Sequence, residues 1–188
     1  MEKLEKIIGK QVSELKRREA AQDELLKLTR ELVRECSIAV KMVHSGDMGG
    51  AEAQLKNAGA MLSKTKKLEK GFEYLVAQSY QEYVEISLLI AFAKRKELPT
   101  PEELGIPFES FMTGLLDCIG ELRRQMLEEL RSDKAKEAGY YFETMSRLYE
   151  ATLPLRFSNS ILPNFRKKQD VARAQVEHAR SEILRSGC

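Results

Sequence analysis

Apolar residues return every three or four positions from the start of the chain: Leu4, Ile8, Val12 and Leu15, then Leu25, Leu28 or Thr29, Leu32, Cys36, Ala39 and Val43. That period belongs to an α-helix with one buried face. No proline precedes Pro99 and glycines are sparse, so the pattern predicts one very long first helix, with Ala20–Gln22 as the place for any bend. Ser45-Gly46-Asp47 predicts its end. Gly46 can adopt the left-handed terminating conformation, and Asp47 can cap the helix that follows. A second helix over 48–67 is rich in alanine, at Ala51, Ala53, Ala58 and Ala60. Gly71 separates it from a third over 72–96, which is apolar on nearly every side and so belongs at the centre of a bundle.

The proline-rich stretch from Leu98 to Pro107 reads as a connector holding one helical turn, with Thr100 as cap and Pro101 in the first helical position. Further helices are predicted over 108–131, from just after Ser132-Asp133 to 152, and over 164–185. No stretch alternates β-branched and polar residues, so no sheet is expected. The fold expected is all-α: one domain over 1–188, an antiparallel bundle of about seven helices with a very long first one.

Composition narrows the class. The 188 residues are 43% hydrophobic and 32% charged, enough to bury a core and unlike a disordered chain. The longest apolar run, near residue 88, is too short to span a membrane. The charged N-terminus has no secretory pattern. A net charge of +2 leaves any affinity for polyanions to local clusters of Lys and Arg. Cys36, Cys118 and Cys188 are far apart and form no CxxC, so we read them as reduced thiols of a cytoplasmic protein, with Cys36 and Cys118 in the core.

Two acidic pairs interrupt the most apolar helices. Glu82 and Glu85 lie between Phe72–Ala77 and Ile86–Ala93; Asp117 and Glu121 lie within Leu115–Leu122. At spacings of three and four, each pair projects from one helix face. Gly114 and Gly120 would let a neighbouring helix come close. If the two helices pack together, four carboxylates meet. Two carboxylates ~5 Å apart repel by roughly 3 kcal/mol at an effective dielectric of ~20, which favours protonation or a bound cation. Oxygen-only donors suit a hard ion, Mg²⁺, Mn²⁺ or Ca²⁺, and an open magnesium site suits phosphoryl transfer. The competing reading is acids on ordinary solvated helix faces.

Other chemistries have less support. A di-iron bundle needs a Glu-x-x-His on each of two helices, and the two histidines, His44 and His178, lie outside both acidic helices. Neither histidine has a recognisable nucleophile beside it. Gly46-Asp47-Met48-Gly49-Gly50 follows a helix and lacks the Lys-Ser/Thr ending of a phosphate loop.

Gln81-Glu82-Tyr83-Val84-Glu85 and Gly114–Leu122 resemble the two acidic motifs of translin-associated factor X, the catalytic partner of translin. Glu35-Cys36-Ser37-Ile38, His44-Ser45-Gly46-Asp47, the connector Glu102–Ile106, Arg156-Phe157 and Arg166–Asp170 are similar to other parts of that family, in the same order. The resemblance implies a seven-helix protein that assembles into a closed, typically octameric shell and binds single-stranded RNA or DNA. For the factor X branch it implies a Mg²⁺-dependent endoribonuclease, with Mn²⁺ as a substitute ion. Glu82, Glu85, Asp117 and Glu121 are then the metal-binding and catalytic residues. The chain is shorter than eukaryotic members, which suggests a compact microbial form that self-assembles; a translin-like second subunit is the alternative. A non-catalytic, translin-like binding shell is the rival function, and a purely structural oligomer is a third reading.

The resemblance gives some basic residues a phosphate-binding role. The candidates are Arg34, Lys41 and His44 on the first helix and Lys64, Lys66 and Lys67 on the second. Arg30, Lys70 and a cluster of Arg166, Lys167, Lys168 and Arg173 are further basic positions, and any of these groups could equally be a solvated face. Tyr80 and Tyr83 could stack on bases but fit the core better. His178 is expected to be exposed.

Overall fold

The computed structural model describes residues 1–186, and Cys188 therefore lies outside the described residues. Among the described residues seven helices follow one another: α1 Glu2–His44, α2 Met48–Leu68, α3 Glu73–Ala93, α4 Pro101–Leu104, α5 Phe108–Arg131, α6 Ala135–Thr152 and α7 Phe165–Arg185. The described residues contain no strand. The chain is all-α, as its periodicity predicts.

The helix ends follow the expected chemistry. Gly46 takes φ +82°, and the Asp47 side chain accepts from the Gly50 amide at 2.8 Å. Thr100 and Glu103 form a reciprocal capping box around α4, with Gly105 left-handed behind it. That box satisfies amides that the first turn would otherwise leave unpaired. α3 is shorter than expected at both ends: Phe72 is its cap and Lys94 closes it, just before the left-handed Arg95. α1 runs unbroken through Ala20–Gln22.

Only the second half of α1 joins the core. Leu25, Thr29, Leu32, Cys36, Ala39 and Val43 are buried, at alternating spacings of four and three, and pack beside α2 and α3. Burying an aliphatic side chain contributes roughly 1.5–3 kcal/mol, so this seam holds α1 to the body. Leu4, Ile8, Val12 and Leu15 continue the apolar face but remain exposed among the described residues.

α3 is the central element, buried on several sides between α1, α2 and α5. Gly114 sets its distance from α5. A methyl group there would lie 2.6 Å from the Gln81 carbonyl oxygen and 2.8 Å from Val84 Cβ. Gly120 does not share that role: nothing lies within 4 Å of where its Cβ would be. One of the two glycines is thus a packing requirement and the other is not. α6 packs on α5, and α7 closes the bundle against both.

Candidate metal centre and nucleic-acid face

The α3–α5 crossing at Gly114 brings the acidic pairs together. Glu82 immediately follows Gln81 on α3 and Glu85 lies one turn beyond Gln81; Asp117 and Glu121 lie one and two turns beyond Gly114 on α5. Burial and then the charges of Asp117 and Glu121 act on the α3 acids. Burial, and then the charges of Glu82, Asp117 and Glu121, push the Glu85 carboxyl up from 4.5 to about 8. Glu82 is raised by burial and by Asp117, with Lys168 and a hydrogen bond from Gln78 acting the other way. Asp117 is raised as well: its loss of water outweighs the favourable ammonium of Lys168. The charges of Glu82 and Glu85 also reach Cys36 on α1, whose thiol is pushed up mainly by burial. α1 therefore backs the acidic site with an inert, protonated thiol. Cys118 on α5 is buried as well.

The α5 acids each have a basic partner from a distant part of the chain. Lys168, in the first turn of α7, donates from Nζ to Asp117 Oδ2. His44, the last residue of α1, places Nε2 2.5 Å from Glu121 Oε2 and Nδ1 3.1 Å from Gln125 Oε1. Gln125 in turn donates from Nε2 to Glu129 Oε1 at 3.1 Å, which fixes its oxygen toward the imidazole. Arg124 stands further off, 3.8 Å from Glu121. Among the described residues, Glu85 has neither an ion pair nor a hydrogen bond of its own.

In kind and in charge this donor set fits a hard divalent cation. It offers oxygen ligands only, from four carboxyl groups, with the Lys168 ammonium beside one of them. As they stand, no three His, Cys, Asp or Glu side chains among the described residues are drawn close enough to grip an ion. Two of the carboxylates, Asp117 and Glu121, are turned instead to Lys168 and His44. Asp117 and Glu121 remain partly open to solvent, at 32% and 24% side-chain exposure.

The basic candidates divide on inspection. Arg34, Lys41, Lys64 and Lys67 are exposed. Lys66 is half-buried and packs at Gly105 in the connector. The reading of His44 as a phosphate contact is corrected. Its side chain is only 6% exposed and both ring nitrogens face α5, so its place is beside the acids. Lys168 likewise leaves the basic cluster to which its neighbours assign it, while Arg166, Lys167 and Arg173 stay exposed. Tyr80 is in the core and donates to Glu69; Tyr83 is half-buried with its hydroxyl against Gly59. His178 is exposed as expected.

Clefts run along the basic side. One of about 520 Å³ between α1 and the α2–α3 corner is lined by Arg17, Arg18, Lys67 and Lys70, and an adjoining one by Lys64 and Lys67. A third, of about 310 Å³, is lined by Arg30 on α1 and by Gln78 on α3, one turn from Glu82. No helix of the described residues is long and apolar enough to cross a membrane.

Comparison with known proteins gives a consistent picture. The model of the Translin family matches residues 53–181. Protein MJ0175 of Methanocaldococcus jannaschii is 30% identical over 177 residues, covering 92% of this chain and 79% of its own. The crystal structure of AfC3PO, and the structure of its complex with duplex RNA, superpose with TM-score 0.88 at 28% identity over 96% of each chain. Apo-NeC3PO has the same fold, with TM-score 0.88 at 20% identity, over 95% of this chain and 96% of its own.

Proposed function

Because the chain belongs to the Translin family, we propose that it is a metal-dependent endoribonuclease acting on single-stranded RNA inside a shell built from copies of itself, on the octamer plan. What supports this reading is the α3–α5 crossing at Gly114, which sets Glu82 and Glu85 near Asp117 and Glu121, where burial and those charges raise Glu85 to about 8 with no ion pair of its own. Ionising Glu85 there is costly without a cation.

Glu82, Glu85, Asp117 and Glu121 would hold Mg²⁺, or Mn²⁺ in its place. Bound there, the ion would supply a Lewis acid for a phosphodiester oxygen and a more acidic water. The chain's own part is positional. Burial keeps a proton on the Glu85 carboxyl until a cation arrives, and the Gly114 crossing fixes the spacing of the pairs. Arg34, Lys41, Lys64 and Lys67 offer cations to a sugar–phosphate backbone, and the Arg30 cleft lies on the same side as Glu82. Free, buried Cys36 and Cys118 agree with a reducing, cytoplasmic setting. RNA as the substrate class draws support from AfC3PO, which has been solved with duplex RNA.

The test uses purified protein and end-labelled RNA, single-stranded and duplex, with Mg²⁺ or with chelator. Internal cleavage of the single strand that stops on chelation, and falls at least ~100-fold in Glu85→Gln and in Glu121→Gln, is the expected result. Cleavage that survives chelation or both substitutions rejects the nuclease reading. A second reading, a binding shell without catalysis, is favoured by the turning of Asp117 to Lys168 and of Glu121 to His44. RNA binding retained in all four acid variants, with no cutting by any of them, would select it.

A further inference from the structure

Of the two side chains that reach the acidic site from α1 and α7, one is built in and the other is on a tether. His44 is packed away and fixed on its far side by Gln125, which Glu129 holds in turn. Lys168 differs. Its helix is anchored independently of its ammonium: Gln169 donates to the Thr152 carbonyl at 2.9 Å, Arg123 on α5 binds Glu182 and Gln175 of α7, and Ala172, Val176 and Ala179 are buried. The Lys168 stem is flexible and its side chain is 26% exposed, so the ammonium can leave while α7 stays in place.

Where that ammonium sits is informative. It contacts Asp117, and its charge also acts on Glu82 and Glu85. One monovalent group thus serves three of the four carboxylates that a divalent ion would need. We propose that Lys168 is an affinity-setting residue: a tethered counter-ion that competes with the divalent metal for Asp117 and so decides the metal concentration at which the site fills. The inference rests on the metal reading above. It assigns Lys168 no contact with the reacting phosphate.

Competition makes a signed prediction. Removing the ammonium leaves the acids under-compensated without metal and more attractive to metal. A purely structural lysine would weaken the folded chain equally in both states. Mn²⁺ is a suitable probe, because free ion can be counted by its paramagnetic resonance without RNA and without turnover. The full chain is titrated as wild type, Lys168→Met, Lys168→Gln and Lys168→Arg, and each is melted with and without saturating Mn²⁺. The neutral variants should bind Mn²⁺ tighter, on the order of tenfold. They should melt lower than wild type in chelator and gain more than wild type on adding Mn²⁺. Lys168→Arg keeps the charge and should bind no tighter than wild type. Using two neutral variants guards against one that fails to fold.

If wild type binds Mn²⁺ and neither neutral variant binds it tighter, Lys168 does not compete and the inference fails alone. Binding in the neutral variants but not in wild type supports it. Binding in none of the four proteins removes the metal reading and this inference together.

Discussion

At Glu85 a single oxygen-for-nitrogen exchange separates the cost of charge from the cost of shape. The carboxyl is raised from 4.5 to about 8, so over that window the folded chain binds a proton that the unfolded chain has released. The contribution of Glu85 to the stability of the metal-free protein therefore falls as pH rises from about 4.5 to about 8, and levels off above. Glu85→Gln removes this contribution. The variant should have a flatter pH profile and be more stable than wild type at pH 8–9, by on the order of a few kcal/mol. Thermal melts in chelator from pH 5 to 9 measure this; a Glu85→Gln curve parallel to wild type would place the strain elsewhere. The acids themselves could be read from sequence, because each pair lies within one helix and its spacing is local. Their partners could not. Asp117 and Lys168 are 51 residues apart and Glu121 and His44 are 77 apart, and such pairings are decided by how helices cross. A faint signal for Lys168 existed: it lies one turn from buried Phe165, on the flank of the stripe continued by Ala172, Val176 and Ala179. Its neighbours Arg166 and Lys167 face away from that stripe, so reading the run as one basic cluster hid the difference.

Among the elements, the α3–α5 pair makes the sharpest demand. Both helices were legible from sequence, and α5 begins and ends at the expected residues, because caps and proline mark its limits. The role of each glycine was not legible, since a missing side chain looks the same whether or not a neighbour needs the space. Gly114→Ala forces a methyl group against the Gln81 carbonyl and Val84, at 2.6 and 2.8 Å. The helices must move apart or shift, at a cost of about 1–3 kcal/mol. Gly120→Ala meets nothing within 4 Å and replaces a flexible residue inside a helix, so it should stabilise by ~0.5–1 kcal/mol. Denaturant unfolding of the two variants tests the contrast. Because Gln81 adjoins Glu82, Gly114→Ala should also weaken Mn²⁺ binding, whereas Gly120→Ala should leave it unchanged.

For the whole molecule, the uncovered half of α1 is the outstanding cost. Leu4, Ile7, Ile8, Val12 and Leu15 are 43–58% exposed, and the buried seam that begins at Leu25 points back along the same face toward Leu15, Ile8 and Leu4. The sequence pattern correctly announced an apolar stripe, but it could not say whether the cover comes from the same chain or from another. Among the described residues, 1–16 are exposed throughout, and α1 first meets the rest of the bundle at Arg17 and Arg18, beside the α2–α3 corner. A stripe of that size is unusual on a monomer that stays alone, and the shell proposed above would supply the missing neighbour. Ile8→Asp with Leu15→Asp should therefore lower the assembly's mass in multi-angle light scattering. Tertiary structure should persist, because the core residues of α1 start only at Leu25. Near-ultraviolet circular dichroism and the denaturant midpoint of the smaller species check that second half of the claim. An unchanged mass would remove the α1 stripe from the assembly contacts and send the search to other exposed apolar residues, Phe157, Ile161 and Val171 among them. A smaller particle that still binds Mn²⁺ but no longer cuts RNA would show that the acids are assembled within each chain, while enclosure of the strand requires its neighbours.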